Sequence, residues 1–187
     1  MNICVFGTTL QAGVIAGLFA EYGHQVYWCP QIATENQTSV HYQDENLNQL
    51  IHKQINNHSL QLIDLKEINL DSDVFLFSFN PSEFDQAIVL AEELKRRPII
   101  HPKLMINGST FGLQGTEKLK QILVSDHWAY LPDTIQEGNA IQSFMDLKQI
   151  IVGTEQEETQ QYIKELLRPF FQLKQQFLFM PFLDAEF

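Results

Sequence analysis

The sequence predicts an α/β fold, a doubly wound and mainly parallel β-sheet with helices on both faces. Short apolar runs of strand length alternate with longer segments of helical spacing, which is the order that parallel sheets produce. Residues 74–79 are almost continuously apolar, as in a strand whose two faces are both covered. The length of 187 residues and the hydrophobic fraction of 44% fit one such domain.

The elements of the amino-terminal half follow from hydrophobic spacing and from the residues that end each run. Gly7 follows the first strand, Gly23 stops the first helix and Pro30 ends the second strand. The predicted segments are a strand at 3–6, a helix at 10–22, a strand at 26–29, a polar loop at 31–46, a helix at 47–55 and a strand at 60–63.

The carboxyl-terminal half repeats the alternation of strands and helices. Asn80-Pro81-Ser82 gives a helix start and Pro98 the following stop. The predicted segments are a strand at 74–79, a helix at 80–97, a strand at 104–106, a helix at 115–124, strands at 128–130 and 149–152, a helix at 155–167 and a strand at 176–180. No linker or repeat interrupts this order, so residues 1–187 are predicted to form a single domain.

Composition excludes several classes of function. The formal net charge of −11 argues against nucleic-acid binding, and the cluster Lys95-Arg96-Arg97 is explained by the helix that it closes. No apolar run is long enough to span a membrane, and the amino terminus lacks a signal peptide, so a cytoplasmic protein is expected. Cys4 and Cys29 fall in predicted core strands as reduced thiols, and no metal site is predicted.

The turn after the first strand has features of a dinucleotide-binding turn. Such turns use one glycine for the tight turn, a second for approach of the pyrophosphate and a third small residue for helix packing. Gly7 and Ala12 stand at the first and third positions, but Thr9 stands at the second. We expect Thr9 to weaken binding without excluding it. The small residues also have a structural explanation, since their spacing lets a helix lie close to a sheet.

Several motifs resemble the UDP-glucose/GDP-mannose dehydrogenase family. Residues 132–141, Pro-Asp-Thr-Ile-Gln-Glu-Gly-Asn-Ala-Ile, are similar to that family's Pro-Glu-Phe-Leu-Arg-Glu-Gly-Ser-Ala-Ile. Residues 71–81 are similar to its Ala-Asp-Val-x-Phe-x-x-Val-x-Thr-Pro, and residues 108–116 to its Lys-Ser-Thr-Val-Pro-x-Gly-Thr. Residues 44–47 resemble its Glu-Pro-Gly-Leu. The resemblance covers the whole chain and implies a Rossmann-type NAD-binding domain that ends where the family's interdomain helix begins.

The resemblance implies a cofactor site and part of a catalytic site. It matches Thr110 and Glu137 with groups that hold a catalytic water, and Asp133 with a glutamate used to hydrolyse the acyl-enzyme. In those enzymes the end of the fourth strand faces the nicotinamide side of the crevice. The residues implied for NAD are Gly7, Thr8, Thr9, Leu10, Ala12, Ser78, Asn80, Ser109 and Thr110. Asn80 is equally explained as a helix cap and Glu137 as a surface turn residue.

The sequence also departs from the family pattern. Pro30 stands where the family has the acid that holds the adenosine ribose, and a proline side chain cannot accept that hydrogen bond. Gly108 replaces a lysine, and Asp133 is one methylene shorter than the family's glutamate. The family's cysteine nucleophile lies after the interdomain helix. The resemblance therefore implies an incomplete catalyst that would meet a nucleotide sugar only with a carboxyl-terminal domain.

Three functions remain open from the sequence. The chain is the cofactor-binding half of a nucleotide-sugar dehydrogenase, a non-catalytic relative that serves as a binding or regulatory module, or an interaction subunit. The third rests on the Phe-rich segment, residues 170–187, which would bind a protein partner or a second copy if its aromatic surface is exposed. The alternative is an ordinary last strand buried by its neighbours.

Overall fold

The computed structural model describes residues 1–30, 40–68, 71–98, 102–171 and 176–187, so most of the loop predicted at 31–46 lies outside the described residues. The strands are β1 (Asn2–Phe6), β2 (Gln25–Cys29), β3 (Leu60–Leu62), β4 (Val74–Phe77), β5 (Leu104–Asn107), β6 (Trp128–Tyr130), β7 (Gln149–Gly153) and β8 (Gln176–Met180). The helices are α1 (Leu10–Glu21), α2 (Glu45–Asn56), α3 (Phe84–Lys95), α4 (Gly115–Ile122), α5 (Ala140–Met145), α6 (Glu157–Leu167) and α7 (Phe182–Glu186).

The strands form one sheet in the order β3-β2-β1-β4-β5-β6-β7-β8. Neighbouring strands are parallel except β6 and β7, so the predicted mainly parallel sheet is confirmed. The order reverses direction between β1 and β4. In open α/β sheets this switch point leaves a crevice at the carboxyl ends of the strands, which is where ligands bind.

Alternate residues of the strands enter two separate cores. Ile3 and Val5 of β1 pack with α1, α2, α5 and α6, whereas Cys4 and Phe6 pack with α3, α4 and α7. Helices therefore cover both faces, as the sequence predicted. Cys4 and Cys29 are buried and form no disulfide, in agreement with prediction, and burial is the main cause that raises the pKa of the Cys4 thiol.

Several boundaries differ from prediction because side chains cap the helices. The strand predicted at 74–79 ends at Phe77, and the helix predicted from residue 80 begins with a 3-10 turn, Pro81–Glu83, before α3. Asn80 caps that turn, and its backbone N–H donates to the Glu83 carboxylate at 2.7 Å. Helix α2 begins two residues early because Asp44 accepts from the Leu47 N–H at 3.0 Å. Helices α5 and α7 were not predicted.

Most phenylalanine side chains of the Phe-rich segment are buried or half-buried. Phe170, Phe171 and Phe182 are 4%, 6% and 8% exposed, and the Phe170 ring stacks on Phe19. Phe177 and Phe179 of the edge strand β8 are half-buried, whereas Phe187 is fully exposed. Neighbouring residues thus cover five of the six phenylalanines, as the last-strand interpretation expects. Association through the exposed end stays a prediction.

Among the described residues, no helix has the length and apolarity needed to cross a membrane. The same residues contain no group of three or more histidine, cysteine, aspartate or glutamate side chains placed to hold a metal ion.

Candidate functional site

Gly7 forms the tight turn between β1 and α1 at the switch point of the sheet. Its φ of +103° lies in the region that favours glycine, and a Cβ at this position would come closer than 3.0 Å to the Ser78 carbonyl oxygen. The Trp28 indole N–H donates to the Gly7 carbonyl at 2.8 Å, and the Gly7 N–H donates to the Cys29 carbonyl at 3.2 Å. The turn thus lies close to β4 and is hydrogen-bonded to β2.

The amino terminus of α1 points its amides into the crevice. Thr9 caps the helix, and its Oγ1 accepts from the Ala12 N–H at 3.1 Å. The N–H groups of Leu10 and Gln11 precede the first intrahelical hydrogen bonds and donate to no acceptor in the described part of the chain. Two open amides at the positive end of a twelve-residue helix form an arrangement that favours an anion such as a pyrophosphate.

Thr9 is turned across the crevice toward β4. Its hydroxyl hydrogen-bonds with the Ser78 hydroxyl in addition to capping α1. Thr9 stands at the motif position that a pyrophosphate would approach, but its hydroxyl is hydrogen-bonded to Ala12 and Ser78. The Thr9 hydroxyl therefore joins the start of α1 to the residue after β4 and offers no free donor to a ligand.

Gln11 continues this connection, and sequence reasoning missed it. The side chain is 2% exposed, its Oε1 accepts from the Ser78 hydroxyl at 2.9 Å, and its Nε2 lies 3.2 Å from the Leu131 carbonyl and 3.3 Å from that of Pro132. The available signal was a single polar residue at the start of a run, residues 11–20, in which every position is buried. A buried amide in such a place needs partners, and here they lie after β4 and β6.

Gly108, after β5, lies against the same amide. A Cβ on Gly108 would come closer than 3.0 Å to Oε1 of Gln11. The family lysine that the resemblance places here is thus replaced by a residue without a side chain, next to a glutamine that fills the space. Gln11 and Gly108 fit each other sterically.

The polar residues that follow β4 and β5 bond mainly to the protein. The Ser109 hydroxyl is 1% exposed, accepts from the Phe79 N–H at 2.9 Å and donates to the Phe77 carbonyl at 3.3 Å. The Asn107 side chain accepts from the Ser109 N–H at 2.9 Å, which fixes the turn. Asn80 is exposed and paired with Glu83, so the cap interpretation accounts for its side chain.

The loop of residues 132–139 carries the candidate carboxylates and is fixed at both ends. Gln11 holds its start, and Asp44, only 7% exposed, accepts from the Ala140 N–H at 2.9 Å at its end. The second carboxylate oxygen of Asp44 caps α2, so one carboxylate serves two helix starts. Asp44 matches the glutamate of the family's Glu-Pro-Gly-Leu.

Thr110, Asp133 and Glu137 are all exposed, and no hydrogen bond among the described residues joins them to one another. Asp133 accepts from the Ile135 N–H at 3.0 Å, a turn contact. Although the residue is exposed overall, desolvation of its carboxyl raises the pKa of Asp133. Burial, followed by the charges of Glu186 and Asp133, raises the pKa of Tyr130. The three candidate catalytic residues thus face solvent at the crevice mouth as separate groups.

Tyr42 covers the other side of the turn. Its hydroxyl lies 3.2 Å from the Thr8 carbonyl and 3.0 Å from that of Thr9, and burial strongly raises the pKa of this phenol. A Cβ on Gly13 would lie 2.5 Å from the Tyr42 ring, and one on Gly17 would lie 3.0 Å from Leu50. Gly13 therefore leaves room for the Tyr42 ring, which precedes α2, and Gly17 leaves room for Leu50 of α2. This corrects the interpretation that these glycines only let α1 lie close to the sheet.

The described residues at the end of β2 supply no side-chain acceptor for an adenosine ribose. Pro30 directly follows Cys29 and has no side-chain acceptor, and residues 31–39 lie outside the described ranges. The Gly7 turn and the α1 amides fit a pyrophosphate, whereas Pro30 and the Gln11 side chain do not fit the two ends of an NAD molecule. The fit to this cofactor is partial.

Several solved structures that share this fold are nucleotide-sugar dehydrogenases. GDP-mannose dehydrogenase from Pseudomonas aeruginosa matches over 100% of this chain and 48% of its own, at 17% identity and a TM-score of 0.78. UDP-D-ManNAc dehydrogenase from Pyrococcus horikoshii matches over 100% and 48%, at 20% identity and a TM-score of 0.79. UDP-N-acetyl-mannosamine dehydrogenase from Staphylococcus aureus matches over 100% and 49%, at 14% identity and a TM-score of 0.80.

This chain spans about half the length of those enzymes. A comparison with curated protein sequences gave no match. The sequence model of one protein family, described as the UDP-glucose/GDP-mannose dehydrogenase family, NAD binding domain, matches residues 1–171. The resemblance seen in the sequence is thereby confirmed, and the chain belongs to the UDP-glucose/GDP-mannose dehydrogenase family, of which it carries the NAD binding domain.

Proposed function

We propose that the chain is the dinucleotide-binding domain of a nucleotide-sugar dehydrogenase, catalytically incomplete by itself. The observation that carries this proposal is the turn at the switch point of the sheet. Gly7 brings the backbone close to β4, and the open amides of Leu10 and Gln11 face the crevice at the positive end of α1. These groups would hold the pyrophosphate of NAD.

The carboxylate loop fits the same proposal. NAD, when bound, supplies the hydride acceptor for oxidation of a nucleotide-sugar C6 alcohol to the uronic acid. Asp133 and Glu137 lie on a loop that Gln11 and Asp44 fix at its ends, and Thr110 follows β5 at the same edge of the sheet. These exposed groups are available to a second domain carrying the nucleotide sugar. The expected cytoplasmic location is part of this proposal.

A second candidate is a non-catalytic relative that keeps the fold as a binding, regulatory or protein-interaction module. The hydrogen bonds from Thr9 to Ser78 and from Ser78 to Gln11 favour it, since they join α1 to β4 across the crevice. Pro30 favours it as well. An interaction role would use exposed side chains at the carboxyl end, Leu183 of α7 at 51% and the following Phe187 at 100% exposure, toward a protein partner or a second copy.

Calorimetric titration with NAD tests the proposal. The parent chain is compared with a Thr9→Gly, Pro30→Asp variant, and Pro169→Asp serves as a control because Pro169 is exposed and distant in the sequence. Micromolar binding by the parent supports the dehydrogenase domain. Binding only by the double variant supports the non-catalytic relative. Binding by neither chain contradicts the proposed dinucleotide site.

A further inference from the structure

The Gln11 side chain lies inside the crevice rather than beside it. Its amide is within hydrogen-bond distance of Ser78 after β4 and of the carbonyls of Leu131 and Pro132 after β6, and it lies against Gly108 after β5. One side chain of α1 therefore joins the carboxyl ends of the sheet on the β4–β6 side of the switch point. With 2% exposure, it leaves little of its surface to solvent.

A dinucleotide lies across a switch point with its pyrophosphate at the helix amino terminus and one nucleotide on each side. The adenosine half would lie toward β2 and Pro30. The nicotinamide half would lie over the ends of β4 and β5, where Ser78 and Gly108 contact Gln11. In the described part of the chain, this second half of the crevice is filled by a side chain of the domain itself, Gln11.

We propose that Gln11 is a specificity-determining residue that occupies the nicotinamide half of the crevice, so that the chain binds the nucleoside diphosphate portion of its ligand and gains no affinity from the nicotinamide. This inference rests on the proposed function, which places the pyrophosphate at α1. Gln11 is held as both donor and acceptor. Moving it would break the hydrogen bonds to the buried Leu131 carbonyl and to the Ser78 hydroxyl, so a nicotinamide would have to replace those hydrogen bonds.

The test is the ratio of the dissociation constants of ADP and NAD, measured by calorimetry. In the parent the two are expected to agree within about twofold, and in Gln11→Ala NAD is expected to bind about fivefold or more tighter than ADP. The exposed Gln49→Ala control should keep the parent ratio. If Gln11→Ala does not fold, Gln11→Ser provides the shortened side chain. An NAD preference of about tenfold in the parent, or no change of the ratio in the variant, overturns the inference.

The same pair of measurements in the Thr9→Gly, Pro30→Asp background separates this inference from the proposed function. These two substitutions keep Gln11 and its partners Ser78, Leu131 and Pro132 in the sequence, while Thr9→Gly removes the hydrogen bond between Thr9 and Ser78. A strong preference for NAD with Gln11 present would overturn the inference alone, because the dinucleotide site would then be shown to work. If neither ADP nor NAD binds to the parent or to the Thr9→Gly, Pro30→Asp variant, the proposed function and the inference are overturned together.

Discussion

The two sides of the switch point use different chemistry. On the β1 side the turn presents backbone groups, and Gly7 is required by the Ser78 carbonyl and the positive φ whether or not a ligand is bound. On the β4–β6 side the strand ends present side chains that bond to one another through Gln11. The difference teaches that a dinucleotide turn persists for reasons of packing, while the groups that select a ligand can change independently.

Gly7→Ala should have the largest effect on stability. The new Cβ would overlap the Ser78 carbonyl, backbone just after β4 that cannot move aside, so we expect a loss of roughly 3 kcal/mol or more in the free energy of unfolding. Gly23→Ala is the matched control, because Gly23 has a φ of +91° but no neighbour within 4 Å of a Cβ, and should cost roughly 1–2 kcal/mol. Urea denaturation measures both. Equal losses of unfolding free energy would show that the positive φ, and not contact with the Ser78 carbonyl, constrains Gly7.

Asp44→Ala should have the second-largest effect on stability. It removes the acceptor of two buried amides, Leu47 at the start of α2 and Ala140 at the start of α5, and we expect a loss of roughly 2 kcal/mol. The exposed Asp146→Ala should change stability by less than roughly 0.5 kcal/mol. Thermal unfolding compares the variants. If Asp44→Ala behaves like Asp146→Ala, the carboxylate does not fix the end of the 132–139 loop.

A double-mutant cycle on Gln11 and Gly108 sharpens the side-chain half of the comparison. Gly108→Ala should destabilise the parent because its methyl group displaces the Gln11 amide, and should cost less when Gln11 is already alanine. We expect a coupling energy of roughly 1 kcal/mol from the four unfolding free energies. Strictly additive losses would contradict the fit between the two residues.

Asp133→Asn should have the smallest effect, visible mainly in the pH dependence. The pKa of Asp133 is raised in the fold, so the folded state favours the protonated carboxyl, and this residue makes stability rise as pH falls through that pKa toward the ordinary value of 3.8. Asparagine keeps an acceptor for the Ile135 N–H but removes the titration. Melting temperatures of both chains across the acidic range check this. Parallel curves would contradict the assignment.

The sequence was sufficient to predict the fold because the signals that mark strands and helices lie within each segment. Alternating apolar runs and glycine or proline stops gave every strand and the longer helices. The short helices α5 and α7 escaped because tertiary contacts support them: Asp44 bonds to the first residue of α5, and Glu186 of α7 accepts from Gln114 and Thr116 at the start of α4.

The site was less predictable because its determinants are pairs distant in sequence. Thr9 and Pro30 were visible as departures from a motif, but only the structure shows that the Thr9 hydroxyl turns to Ser78. Gln11 could be noticed as a polar residue in an apolar helix, yet its partners lie 67 and 120 residues away. Such spacing leaves no pattern in a single sequence.

The most direct test that Gln11 fills the nicotinamide half of the crevice is an NMR titration of the parent chain that follows the backbone amides of Leu10 and Gln11 together with the side-chain amide of Gln11. We predict that ADP and NAD shift the backbone amides alike and that neither displaces the side-chain amide from its hydrogen-bonded position. Displacement of the Gln11 side-chain amide by NAD but not by ADP would contradict it.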